Sequence, residues 1–174
     1  LLKINRNTFV DLSDAIMSSV FQIYDVGVRV LFTNNQSDSN SRLQFSYSLD
    51  DDEISSDFQV VIRDNQLSGD DISLYGNDRG RFLVKGNTFD NCYVYVSNTL
   101  KTLIQDNTIQ NCSGSYALNL SNANAVVERD TLINNQYNGI RVYTSFEKDG
   151  EIQDTIRYCT ITGNNTSNNS DYAG

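Results

Sequence analysis

Apolar and polar residues alternate in short runs along most of this chain. Val60 and Ile62, Phe82 and Val84, and Ile156 fall on one side of such runs, with Arg63, Lys85 and Arg157 on the other. A period of two is that of a β-strand. The runs also recur. FLVKGNTFDNC from Phe82, TLIQDNTIQNC from Thr102, AVVERDTLINN from Ala125 and DTIRYCTITGN from Asp154 align without gaps. VVIRDNQLSGD from Val60 and LKINRNTFVDL from Leu2 share the frame, and VLFTNNQSDSN from Val30 fits it more loosely. An anchor position holds Asn7, Asn35, Asn65, Asn87, Asn107, Asp130 and Cys159, at spacings from 20 residues (Asn87 to Asn107) to 30 (Asn35 to Asn65). Two residues past the anchor stands another apolar side chain: Phe9, Leu67, Phe89, Ile109, Leu132 or Ile161. Such self-similarity marks a solenoid, with equivalent side chains stacked one coil apart.

The first half of the repeat also suits a leucine-rich repeat, so the remainder decides. It holds a second alternating run, Ile72-Ser73-Leu74, Val94-Tyr95-Val96, Leu118-Asn119-Leu120 and Ile140-Arg141-Val142, followed by a turn at Asn77, Asn98 or Asn122. Two or three short strands per coil joined by Asn and Gly bends make an all-β parallel β-helix rather than a leucine-rich repeat. About seven coils form one domain over 1–174: irregular coils with an acidic loop at 48–57 within 1–59, and regular coils over 60–174. Residues 10 to 20 have room for one short helix. The chain opens in mid-pattern at Leu1-Leu2-Lys3-Ile4, without a start Met or signal peptide, and we expect a segment of a longer helix.

GNTFDNC and QDNTIQNC, each followed by an alternating strand, resemble the parallel β-helix repeats of the pectate-lyase-like superfamily. The resemblance is close over about 60–174 and looser before it. It implies a right-handed coil and a glycan groove on the outer side of one sheet. The superfamily includes lyases, hydrolases, epimerases, tailspikes and adhesins, so fold alone does not choose an activity.

Composition narrows the field. The chain is 39% hydrophobic and only 20% charged, and its 22 asparagines fit many left-handed bends. A net charge of −9 argues against nucleic acid, which needs clustered Lys and Arg. No apolar stretch is long enough to span a membrane. Cys92, Cys112 and Cys159 have no zinc spacing, and the chain contains no His. Cys92 and Cys112 share a register five residues past their anchors, which suggests buried free thiols, with a disulfide between coils as the alternative. Six Asn-X-Ser/Thr sequons, at Asn35, Asn111, Asn119, Asn164, Asn165 and Asn168, are no more than an Asn-rich chain produces by chance.

Three groups could carry chemistry. The outward position two before the anchor gives Asn5, Thr33, Arg63, Lys85, Gln105, Glu128 and Arg157, in which Arg63 and Lys85 form the adjacent cationic pair. The resemblance implies Lys or Arg as the base of a calcium-assisted lyase; the plainer reading is a solubilising charge ladder, with Asp64 or Asp106 between the cations. The acidic run Asp50, Asp51, Asp52 and Glu53 is a candidate calcium site or a solvated loop; no other cofactor is indicated. Tyr93, Tyr95, Asn119, Arg141 and Tyr143 should share an outward face, with Tyr75 at its edge, where rings stack on sugars and amides bond hydroxyls. Tyr is also common in strands, and the face could pack on another subunit or coil. Without His, hydrolase, epimerase and triad chemistry lose their usual acid–base group. The expectation is a secreted or surface segment that recognises or lies against polysaccharide. A structural shaft (adhesin, spike or filament unit) is the alternative, and catalysis ranks behind both.

Overall fold

The computed structural model describes residues 1–9, 19–23, 28–38, 42–47, 58–69, 71–144 and 152–165. They form three parallel sheets of seven, seven and six strands and no helix. The first sheet comprises Leu2–Asn5, Val30–Thr33, Val60–Arg63, Arg81–Lys85, Lys101–Gln105, Ala125–Glu128 and Thr155–Arg157. The second has Thr8–Phe9, Gln36–Ser37, Gln66–Ser68, Thr88–Asp90, Thr108–Gln110, Thr131–Ile133 and Thr160–Thr162. The third has Ser19–Ile23, Arg42–Tyr47, Asp71–Tyr75, Val94–Ser97, Tyr116–Ser121 and Asn138–Tyr143. Every strand pairs with its equivalent in the next coil, so the chain winds as a parallel β-helix of seven coils. Of the span with room for a short helix, 10–18 lies outside the described residues, and Ser19 and Val20 are strand.

The core is three sets of stacked side chains, one per sheet. Phe32, Ile62, Val84, Ile104 and Val127 are register partners and 0–1% exposed. Leu67, Phe89, Ile109 and Leu132 line the second sheet, and Phe45, Leu74, Val96 and Leu120 the third. Ile156, expected inside, keeps its register on Val127 but is 42% exposed, because it lies in the last described strand of its sheet.

The bends explain the asparagines. The residue before each anchor is left-handed: Arg6, Asn34, Asp64, Gly86, Asp106, Arg129 and Tyr158 have φ between 55° and 67°. The next bend repeats the device at Gly69, Asn91, Asn111, Asn134 and Gly163. The anchors themselves form a buried ladder. Asn87 Nδ2 donates to Ile62 O at 3.0 Å and to Asn107 Oδ1 at 2.9 Å, while its Oδ1 accepts from Asn65 N and Nδ2 at 3.0 and 2.8 Å. Asn35, Asn65 and Asn107 repeat the pattern, so the buried amides satisfy one another and the backbone. A second ladder stands at the next corner. Asn135 Oδ1 accepts from Cys112 N, and Asn164 Oδ1 accepts from Asn135 N and Nδ2. Cys92 and Cys112 occupy its earlier rungs, and Cys92 Sγ donates to Leu67 O.

Candidate functional site

The third sheet turns a row of polar and aromatic side chains outward. Its register places Gln44, Ser73, Tyr95, Asn119 and Arg141 in one column across five coils. Four steps of ~4.8 Å make that column roughly 19 Å long. Alternation with the buried residues Leu74, Val94, Val96, Leu118 and Leu120 turns the column to the outer side of the sheet, where Gln44, Tyr95 and Asn119 are half-buried, Arg141 is exposed and Ser73 is covered. Beside it runs Ser46, Tyr75, Ser97, Ser121 and Tyr143.

The rings are organised. Tyr75 meets Tyr95 edge-on, with centroids 5.5 Å apart and planes at 66°. The Arg141 guanidinium lies 4.9 Å from the Tyr116 centroid and 5.6 Å from that of Tyr143. At the other end Gln44, Ser46, Tyr47, Tyr75, Asn77 and Asn98 line an open depression of ≈ 380 Å³. Two buried polar atoms in the column, Ser73 Oγ and Asn119 Oδ1, have no hydrogen-bond partner, and neither does Asn138 Oδ1 near Arg141. Buried oxygens without partners are rare enough to need an explanation.

Tyr95, Asn119, Arg141 and Tyr143 are thus brought together as the alternation suggested. Tyr93 precedes its strand, and its N–H approaches Asp71 Oδ1 at 3.4 Å. Ser73 and Tyr116 were not singled out in the sequence. Ser73 is short and sits in an apolar run, and Tyr116 enters through a local break in alternation, where Ala117 and Leu118 are both buried.

Arg63 and Lys85 are register partners on the first sheet, away from this face. Each has a carboxylate at hand: Asp64 lies 2.9 Å from Arg63 Nε, and Asp106 lies 3.7 Å from Lys85 Nζ. Asp106 also takes Arg129, and Glu128 takes Arg129 and Arg157 at 2.9 and 2.6 Å. The Arg157 hydrogen bond, then Arg129, holds the Glu128 carboxyl below its ordinary range. Asp50, Asp51, Asp52 and Glu53 lie outside the described residues. Among those described, no three His, Cys, Asp or Glu side chains are grouped to hold a metal ion.

Two groups titrate unusually without belonging to a cleft. Burial pushes the Cys112 thiol up to about 12, and no disulfide joins Cys92, Cys112 or Cys159, so the disulfide alternative is set aside. Asp130, in the anchor ladder, is pushed up to about 6 by burial, against the lowering effect of its bonds from Asn107.

A family model described as a right handed beta helix region matches residues 19–173. No curated protein and no solved structure matches the chain.

Proposed function

The chain belongs to the right-handed β-helix family, and from that premise we propose that it is an extracellular segment that recognises polysaccharide on the outer face of its third sheet. The observation that carries this reading is the outward column Tyr95–Asn119–Arg141 with Tyr75, Tyr116 and Tyr143 arranged around it, rings and a guanidinium on one open sheet face. A sugar presents the complement, C–H faces for the rings and hydroxyl oxygens for the exposed Arg141 guanidinium. An open face with stacking and a few hydrogen bonds supports weak, extended binding rather than tight capture. Secretion or surface display follows from that role, and the full protein supplies any further coils or subunits the face meets.

A glycan array with the parent, Tyr95→Ala, Asn119→Ala and Tyr143→Ala tests the proposal. Binding that drops in the variants while folding is retained supports it; an array without a single parent hit sinks it. In that case the structural shaft is the better reading, supported by two amide ladders that stiffen the coil. A calcium-assisted lyase using Arg63 or Lys85 ranks last, since both cations already have carboxylate neighbours. Release of unsaturated products from uronic-acid polymers with calcium, lost in Lys85→Ala, would reverse that ranking.

A further inference from the structure

The first sheet carries a second organised outer surface, independent of the face just described. Its middle row is aliphatic: Leu31, Val61, Leu83, Leu103 and Val126 are register partners in successive coils. They point outward because their neighbours Phe32, Ile62, Val84, Ile104 and Val127 fill the core; Leu31, Leu83, Leu103 and Val126 are half-buried and Val61 is 7% exposed. The row runs roughly 19 Å at ~4.8 Å per coil. Its two borders differ. On one side Arg63 and Lys85 are matched by Asp64 and Asp106. On the other, Arg81 and Lys101 are register partners, and neither has an ion pair among the described residues. Lys101 instead sits 5.7 Å from the Phe58 centroid. Next to Arg81, Gln59 is 2% exposed, and both Gln59 Nε2 and Arg81 Nε are buried donors with no acceptor. Two adjacent cations without a carboxylate, in a chain of net charge −9, make this border of the row locally positive.

We propose that this face docks an acidic, amphipathic peptide segment of a partner protein, with apolar side chains on the Leu83 row and carboxylates on Arg81 and Lys101. A second copy fits poorly. The unmatched border carries Arg81 and Lys101, and the acids beside this sheet, Asp64, Asp106 and Glu128, are already taken by Arg63, Lys85, Arg129 and Arg157, so a second copy offers no free carboxylates to that border. A membrane fits poorly too, since the apolar row is one side chain wide and the chain as a whole would be repelled by anionic lipid. A helix covering the row needs about 13 residues.

The test uses a labelled synthetic peptide of about 14 residues, leucines at i, i+3, i+4 and i+7 with glutamates elsewhere, titrated by fluorescence anisotropy. The expected result is saturable binding that weakens about tenfold in Leu83→Ser/Leu103→Ser and severalfold in Arg81→Gln/Lys101→Gln, and that falls with added salt. Circular dichroism and urea midpoints confirm that the variants stay folded; both leucines lie on the outer face, so the serines leave the core intact. Equal binding of the same peptide with lysine in place of glutamate overturns the proposal, as does no binding above a polyglutamate control. Vesicles of anionic lipid captured through the same residues point to a membrane instead. A concentration-dependent dimer abolished by Leu83→Ser points to a second copy. Peptide binding that appears only after Asp50, Asp51, Asp52 and Glu53 are neutralised makes the chain's own acidic run the occupant.

Discussion

Replacing Asp130 by Asn should stabilise the protein at neutral pH. Asp130 stands at an anchor position, 1% exposed, and its Oδ1 accepts from Asn107 N and Nδ2 at 2.7 and 2.8 Å. Its Oδ2 is buried without a partner, where the Asn anchors have an amide NH₂. Asn107 donates from that position to Val84 O, so the equivalent acceptor for residue 130 is Ile104 O. A carboxylate there sets oxygen against carbonyl oxygen; Asp106 adds like charge, and Arg129 and Glu128 next to it are occupied with each other. Burial raises the group from 3.8 to about 6. That gap corresponds to at most roughly 3 kcal/mol. The sign follows from proton linkage. The folded state holds this proton more tightly, so stability is full below the unfolded value of 3.8 and is lost as pH rises through about 6. Asn carries no such penalty and completes the ladder. We expect Asp130→Asn to gain about 1–3 kcal/mol in urea denaturation at pH 7, shrinking to about 0.5 kcal/mol or less at pH 4. A variant less stable than the parent at pH 7, or one whose gain is the same at both pH values, would refute the reasoning.

Other perturbations test the same architecture. Asn107→Ala removes four buried hydrogen bonds and strands Asn87 N–H, so its urea midpoint should fall by the equivalent of about 3–5 kcal/mol. At Gly76 an added Cβ would lie 2.6 Å from Asn98 O and 2.7 Å from Thr99 Cα, so Gly76→Ala should cost more than about 3 kcal/mol. Gly114→Ala, with nothing within 4 Å, should melt within about 0.5 kcal/mol of the parent. Val94→Asp, at a 0% exposed site, should unfold the chain, whereas outward Tyr95→Ser should cost under about 1 kcal/mol; equal melting would mean a one-residue register error. Cys112, held protonated by burial, should resist a thiol reagent in the native state and react fully in urea.

The coil was legible because its repeat is written in chemistry that tolerates few substitutes. An amide able to donate and accept at once is needed at Asn65, Asn87 and Asn107, so the anchor recurs even where loop lengths differ. The inward and outward sides of Ile72–Leu74 and Val94–Val96 followed from alternation. Alternation says less on the first sheet, where Val60-Val61-Ile62 and Phe82-Leu83-Val84 are apolar throughout and the outward aliphatic row hides inside the run. The second ladder was also hidden, because Cys92 and Cys112 stand where Asn135 and Asn164 later do. The partnerless oxygens of Ser73 and Asn119 depend on which side chains three different coils bring together, and no local pattern encodes that.

The left-handed residue before each anchor has a consequence for how such a chain diversifies. That bend is occupied by Arg, Asn, Asp, Gly, Asp, Arg and Tyr in successive coils with nearly the same φ. A side chain's own preference therefore does not set the geometry; the neighbouring ladder imposes it, at a cost of order 1 kcal/mol for the bulkier residues. Because the bend is exposed, its occupant varies without reaching the buried ladder, and its exchange alters only surface ion pairs such as Asp106–Arg129. Seven writable positions spaced one coil apart thus run down an edge of the molecule, and a lineage could rewrite them in any order, charge by charge, while the scaffold beneath stays the same.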